Sequence, residues 1–162
     1  MDQKDVEILE MLEEDGRIPV GEMAGMLDLT EGDVEKRINR LKKKNVIRKF
    51  KTSIDWKKAG KRQTSAAIQV KVVPQRRTGF SQICEEISRD SRVKDVFVVT
   101  GEYDLILLVE AADMDEISEF VTEKLAPKKD IVGTYSHIIL REFKRDGVVL
   151  SEDKSRRLKV SL

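Results

Sequence analysis

Hydrophobic residues recur at intervals of three and four positions along the first 45 residues, which is the period of amphipathic helices. The stretch DVEILEMLEEDG predicts a first helix, and RIPVGEMAGMLDL predicts a short second one. A third helix follows Thr30, a good N-cap, and its apolar side chains stand at offsets 0, 4 and 7 from Val34. About two or three residues join the second helix to the third, which is typical of a helix-turn-helix.

The predicted third helix presents positive charge opposite its apolar stripe, because successive side chains are about 100° apart around a helix. The next segment, VIRKFKTSIDW, alternates apolar and basic residues as a small β-wing would. A helix that enters the major groove and a basic wing that contacts phosphates predict a winged helix-turn-helix that binds double-stranded DNA. We assign this domain to residues 1–55.

The residues expected to contact DNA lie on the outward face of the third helix and on the basic segment after it. They are Thr30, Gly32, Lys36, Arg37, Asn39, Arg40, Lys43, Arg48, Lys49 and Lys51. Arg37 lies nearer the edge of the core, so a structural ion pair is an equal alternative for it. A run of cations is usually a solvated face, and the two closely spaced helices are what favour DNA binding here.

From Ser65 onward the chain alternates between strand and helix patterns. SAAIQVKVVP has the period of two that indicates a strand, and FSQICEEI has the spacing of an amphipathic helix. VKDVFVVTGEYDLILLVEA consists of two apolar runs around the turn GEYD, which predicts a hairpin.

A second helix and a last strand complete this part of the chain. DMDEISEFVTEKLA opens with capping-box-like spacing, and IVGTYSHIILREF is β-branched and aromatic. The order β-α-β-β-α-β predicts a ferredoxin-like sandwich over residues 65–144, so the fold class is α+β. We assign residues 56–64 to a linker and residues 145–162 to a C-terminal tail, in which an added edge strand is an option.

The predicted sheet has one face that its own helices do not cover. The runs VFVV, LILLV and HIIL place apolar residues at consecutive positions and therefore on both faces. An apolar sheet face is costly to expose to water, and the simplest cover is the same face of another subunit. We expect a homodimer that carries two DNA-binding heads.

Charge is distributed unevenly although the formal net charge is only +1. Residues 1–35 contain 2 basic and 12 acidic residues, whereas residues 36–62 contain 13 basic and 1 acidic. A single cysteine, Cys84, and a single histidine, His137, provide no metal site or catalytic triad by themselves. No apolar run approaches the length of a membrane span, and no export signal is visible. We expect a cytoplasmic protein without cofactor, metal or membrane partner that is not an enzyme.

The chain resembles the leucine-responsive regulator/AsnC family, also called feast/famine regulators. The resemblance rests on ILEMLEEDGRIPVGEMAGMLDLT, VEKRINRLKKKNVIRKFKTSID, VTGEYDLILLVEA and YSHIILREF, and it extends to about Lys144. It implies an N-terminal winged helix-turn-helix and a C-terminal regulation-of-amino-acid-metabolism domain. It also implies dimers that often assemble into tetramers or octamers, and transcriptional control by a small effector, commonly an amino acid.

The same resemblance implies an effector pocket that forms between dimers, around the hairpin turn and the facing positions of the last strand. Carried over by matching motif, these positions are Gly101, Tyr103, Asp104, Thr134, Ser136 and His137. An amino acid needs an anion for its ammonium group, and Asp104 would provide one. An Asp and a Gly in a tight hairpin commonly serve the turn alone, so that alternative stays open.

Two other functions compete with the regulator. A DNA-compacting architectural protein would use the same basic surface with little sequence preference. Decarboxylases that act on sirohaem share the two-domain arrangement, but the cationic helix face and the absence of further histidines disfavour an enzyme. The sequence departs from the family pattern at TEGDVE, which is more acidic than usual, and at KKKN, which adds phosphate affinity.

Overall fold

The computed structural model describes residues 1–73 and 79–150. The chain divides into two compact units, one from Met1 to Ile54 and a second from Asp55 onward. The helix-turn-helix unit and the α+β unit confirm the predicted fold class in outline. None of the helices in the described ranges is long and apolar enough to cross a membrane.

The first unit consists of three helices. They are α1 (Gln3–Glu14), α2 (Val20–Leu27) and α3 (Glu31–Lys43). A capping box between Asp2 and Asp5 begins α1, and the Thr30 side chain accepts a hydrogen bond from the Asp33 N–H at the start of α3. One apolar cluster joins the three helices, and its buried members are Ile8, Met23, Ala24, Leu27, Val34 and Ile38.

The predicted β-wing is wrong. Residues 46–63, all of which the structure describes, form no strand. A wing needs two runs that pair with each other, and this segment offers one alternating run followed by a helical turn. Ile47 packs against the core of the first unit, so the segment is held to the domain as irregular extended chain.

The second unit contains a four-stranded antiparallel sheet in the order β2-β3-β1-β4. Its elements are β1 (Thr64–Val72), α4 (Ser81–Ser88), β2 (Val93–Val98), β3 (Leu105–Ala111), α5 (Met114–Glu119) and β4 (Ile131–Ile139). A π-helical segment, Phe120–Leu125, directly continues α5. This is the predicted β-α-β-β-α-β arrangement.

The two faces of the sheet differ in burial because side chains alternate along each strand. In β1, Ile68 and Val70 are fully buried and face the side of the helices, whereas Gln69 between them is only partly buried. The cross-strand partner of Gln69 in β3 is Ile106, and its partner in β4 is Tyr135. These residues lie on the face opposite the helices, which we call the open face.

A short hairpin follows the sheet. Lys144–Arg145 (β5) pairs with Val148–Val149 (β6), so Val148 adds no edge strand to the main sheet and that option is wrong. Asp146 and Gly147 have positive φ of 47° and 80°, and they turn the chain within two residues. The two short strands therefore pair with each other and not with the four-stranded sheet. The remaining predicted tail residues, 151–162, lie outside the described residues.

Candidate nucleic-acid interface and effector region

The outward face of α3 has the composition predicted from its spacing. Lys36, Asn39 and Lys43 are exposed on the side opposite the buried Val34 and Ile38. Within the described ranges, neither lysine has an ion-pair partner, so both ammonium groups remain available to an anion. An amide between two ammonium groups can donate to and accept from base edges while the cations bind phosphates.

Thr30 and Gly32 lie at the start of α3 and are exposed. The Thr30 hydroxyl donates to the Asp33 carboxylate at 2.8 Å and accepts from the Asp33 N–H at 3.2 Å. Thr30 is therefore engaged as a helix cap. Gly32 has open space where a side chain would project, so a ligand can approach the backbone there.

Arg37 and Arg40 are not free cations on this face. Arg37 Nη1 donates to Asp2 Oδ1 and to Asp5 Oδ1, both at 2.7 Å. Arg40 Nη2 donates to the two oxygens of Asp5 at 2.7 and 2.8 Å. The structural ion pair is thus the arrangement found for Arg37, and Arg40 shares it. The sequence pattern allowed an ion pair for Arg37 but did not identify its partner, because that acid is more than 30 positions away on α1.

Asp5 is the centre of this network and is 1% exposed. Burial raises the pKa of its carboxyl group, but hydrogen bonds from Arg37, from the Asp2 N–H and from Arg40 outweigh burial and lower the pKa to about 2. The carboxylate therefore stays charged at neutral pH and fixes α3 against α1.

The basic segment after α3 presents Arg48, Lys49 and Lys51, which are all exposed. Phe50 lies among them, with the Lys42 ammonium group 5.0 Å from its ring centroid. A Cβ placed on Gly16 would lie 3.5 Å from the Phe50 ring, so the ring rests on the turn after α1. Phe50 thus anchors the segment that carries these cations.

The β2–β3 hairpin uses Asp104 for its own structure. Asp104 Oδ2 accepts a hydrogen bond from the Val72 N–H at 2.9 Å and lies 3.3 Å from the Lys71 ammonium group. The hydrogen bond from Val72 is the main reason that the pKa of Asp104 is lowered. Gly101 has φ +130°, which favours glycine. Within this chain, the contacts of Asp104 and the backbone of Gly101 are therefore those of residues that stabilise the hairpin.

The three residues predicted on β4 do not share one face. Thr134 and Ser136 pair with Val70 and Ile68 on the helix side of the sheet, whereas His137 pairs with Ala67 on the open face. His137 stacks at a tilt against Tyr135, with ring centroids 4.7 Å apart. Within one chain these residues therefore do not form a single pocket, and the predicted pocket between dimers stays a prediction.

A shallow depression of about 680 Å³ lies beside the hairpin. It is lined by Gln69, Val98, Val99, Thr100, Glu102, Tyr103 and Ile106. Tyr103 belongs to the predicted set, whereas Gln69, Thr100 and Glu102 were missed. The alternation of β1 was the available signal, because it places Gln69 on the same face as Ile106.

The described residues include no group of three or more His, Cys, Asp or Glu residues that could hold a metal ion. Cys84 is partly buried, and burial raises the pKa of its thiol, which lowers its reactivity.

Two family models match the chain. An AsnC-type helix-turn-helix domain matches residues 1–42, and an Lrp/AsnC ligand binding domain matches residues 65–149. The chain is 35% identical over 161 residues to the uncharacterized HTH-type transcriptional regulator YugG of Bacillus subtilis, covering 98% of this chain and 97% of the relative. It is 31% identical over 144 residues to the HTH-type transcriptional regulator AldR of Mycobacterium tuberculosis, covering 89% and 80%.

Solved structures agree with these matches. The crystal structure of MtbAldR superposes with a TM-score of 0.78 at 30% identity, covering 90% of this chain and 97% of that chain. The complex of transcriptional regulator NMB0573 with L-Met from Neisseria meningitidis has a TM-score of 0.70 at 23% identity, covering 90% and 93%, and shows likeness of fold. The resemblance seen in the sequence motifs is confirmed: this chain belongs to the Lrp/AsnC family of HTH-type transcriptional regulators.

Proposed function

We propose that this protein is a sequence-specific DNA-binding transcriptional regulator of the cytoplasm that responds to a small effector, an amino acid, and has no enzymatic activity. The observation that carries the proposal is the outward face of α3. There, Lys36, Asn39 and Lys43 project from a helix that Asp5 fixes in place. Affinity would come from the cations and base selection from the amide.

The roles of the predicted DNA contacts differ within this proposal. Asn39 reads base edges, and the backbone near Gly32 lies close to the groove. The phosphate contacts come from Lys36, Lys43, Arg48, Lys49 and Lys51. Arg37 and Arg40 act through Asp5 as positioning residues for α3. Thr30 acts as the cap that begins the helix.

The test is a fluorescence-anisotropy titration of genomic fragments that the wild-type protein selects. The double variant Lys36→Gln/Lys43→Gln should bind at least tenfold more weakly and show a salt slope lower by about 0.9 for each phosphate that it no longer neutralises. The matched control is Arg89→Gln/Lys129→Gln, which removes the same charge from exposed positions of the second unit. Equal affinity of the two double variants would reject α3 as the DNA-binding surface.

The effector part of the proposal is supported by the match to a ligand binding domain and by the depression beside the hairpin. Gln69, Thr100, Glu102 and Tyr103 offer amide, hydroxyl and carboxylate groups there, which suit the two charged ends of an amino acid. Asp104 is not among the residues that line this depression within one chain, and its carboxylate accepts a hydrogen bond from the Val72 N–H. A thermal-shift screen of the twenty amino acids should find a ligand whose effect disappears in Glu102→Gln. No shift with any amino acid would count against this part.

An architectural role is the second candidate, because residues 36–62 carry 13 basic residues and 1 acidic residue in one block. Sequence-independent wrapping needs such a surface and no base contacts. Footprinting separates the two roles. A regulator protects discrete half-sites about one helical turn apart, whereas an architectural protein gives continuous protection with a steep salt slope.

A further inference from the structure

Residues 55–61, which the sequence pattern assigns mostly to a linker, form a single capped turn of helix that we call the Trp56 turn. Asp55 Oδ1 accepts a hydrogen bond from the Lys58 N–H at 3.0 Å, as an N-cap does. At the other end Gly60 has φ +79°, and its N–H donates to the carbonyl three residues back at 3.2 Å. The next N–H donates to the carbonyl five residues back at 3.0 Å, which completes a Schellman motif.

The Trp56 turn and the residue after it carry four exposed cations, Lys57, Lys58, Lys61 and Arg62. Lys58 approaches Asp55 at 3.8 Å, and its side chain is 66% exposed, so this pair is weak. The other three have no ion pair within the described ranges. Four positive charges in six positions repel one another, and a polyanion relieves that repulsion.

Trp56 holds one of these cations in place. The Lys61 ammonium group lies 4.7 Å from the centroid of the indole ring, and the ring itself is partly buried. An ammonium over an aromatic face directs part of its N–H groups at the ring, and the remaining N–H groups can still donate to an anionic oxygen. The position of Lys61 is thus preorganised, which lowers the entropy cost of binding an anion there.

We infer that the Trp56 turn is a further phosphate-binding site for double-stranded DNA, independent of base sequence and distinct from α3. The inference rests on the proposed function, since it assumes that the protein binds a duplex. Lys57 follows Lys51 by six positions, which span at most about 22 Å of extended chain. DNA bound through the basic segment is therefore within reach of the turn, and it presents phosphates at closer intervals than this.

The first test uses the wild-type protein, because Trp56 is the single tryptophan of the chain. A selected duplex of about 30 base pairs, long enough for two half-sites, is titrated while tryptophan emission and DNA anisotropy are recorded together. Emission should change with the same midpoint as anisotropy. Iodide quenching of Trp56 should fall at saturation, because bound phosphates repel the anion. Emission and quenching that stay constant while anisotropy rises would overturn the inference.

The second test compares two charge-matched variants by salt dependence. Lys57→Gln/Lys58→Gln/Lys61→Gln/Arg62→Gln should lower the slope of log K against log salt by about 2 to 4, with base preference unchanged. A control variant removes four exposed cations elsewhere in the second unit, namely Arg89→Gln/Lys94→Gln/Lys124→Gln/Lys129→Gln.

The outcomes separate the two proposals. Equal slopes of log K against log salt for the two variants would reject the Trp56 turn as a phosphate-binding site. The proposed function as a regulator would not be affected by that result. No binding of any duplex by the wild-type protein would reject the proposed function and the inference with it. Far-UV circular dichroism of both variants verifies that they are folded, and the wild-type emission test stands without any variant.

Discussion

Asp5 connects the start of α1 to two arginines of α3, and it does so with a carboxylate that water does not reach. A buried charge is tolerated when every oxygen has a donor, and here Arg37, Arg40 and a backbone N–H provide them. We therefore expect the stability of the first unit and the orientation of the helix proposed to bind DNA to depend on the same residue.

Replacing Asp5 with asparagine should destabilise the first unit by about 2 to 4 kcal/mol, because the partly buried Arg37 and the exposed Arg40 lose the charged partner that fills a buried position. Urea unfolding followed by circular dichroism measures this. Asp2→Asn is the matched control, since Asp2 is exposed and asparagine still caps a helix. Its effect should be clearly smaller. Similar destabilisation in the two variants would show that Asp5 has no special role.

The lowered pKa of Asp5 also predicts a pH dependence. A carboxyl group whose pKa is lower in the folded state contributes stability that is complete above its unfolded pKa and is lost as pH falls towards the folded value. For Asp5 that interval runs from about pH 5 down to about 2. The difference in unfolding free energy between wild type and Asp5→Asn, measured by urea unfolding, should shrink across this interval. A constant difference would contradict the ion-pair explanation.

Among the elements, the β2–β3 hairpin shows how a turn is fastened to a neighbouring strand. The Asp104 N–H donates to the Val70 carbonyl at 3.1 Å, and its carboxylate accepts from the Val72 N–H. The register of β1 against β4 shifts between Lys71 and Val72, so the side chain of Asp104 supports β1 beside an irregularity.

Replacing Asp104 with alanine should loosen this end of β1. The amide proton of Val72 would exchange roughly fivefold faster, as expected when one hydrogen bond is removed. Amide exchange followed by NMR measures the change. Glu102→Ala, at an exposed turn position two residues away, should leave the exchange of Val72 unchanged. If both variants behave alike, the carboxylate of Asp104 does not hold the strand.

The elements that could be predicted from the sequence are those whose signals lie within a few residues of one another. The cap and the apolar spacing of α3 were sufficient to predict this helix, because these signals act within one helix. Thr30, for example, caps the helix that directly follows it. The arginine partners were not visible, because Asp5 approaches them only after the helices pack. The Trp56 turn was visible in principle, since Asp55 and Gly60 are its two caps. Adjacent strand residues necessarily face opposite ways, so Ser136 and His137 could have been separated from sequence alone.

At the scale of the whole molecule, the open face of the sheet carries exposed apolar side chains that a second subunit would cover. Phe97 is 48% exposed and Tyr135 is 55% exposed, and both lie on this face. Partly buried Ile106 and Leu108 lie between them on β3. We propose that this surface pairs two subunits as a homodimer, from which a tetramer or octamer is assembled.

Replacing Phe97 with glutamate should reduce the assembly to single chains, because a carboxylate within an apolar interface would be desolvated without a partner. Light scattering coupled to size exclusion gives the mass. Met114→Glu is the control, since Met114 is 61% exposed at the start of α5, where an acid is favourable. A wild-type protein that already elutes as a single chain would end the dimer proposal.

The contact of Arg37 with Asp2 has a practical consequence. The second residue of the chain touches the helix proposed to enter the groove, at 2.7 Å. Any peptide fused ahead of Met1 would thus begin beside that helix, where its charge would add to or subtract from the local field. Affinities measured on a protein with a tag at this end would report the tag as well as the protein, so purification handles belong elsewhere.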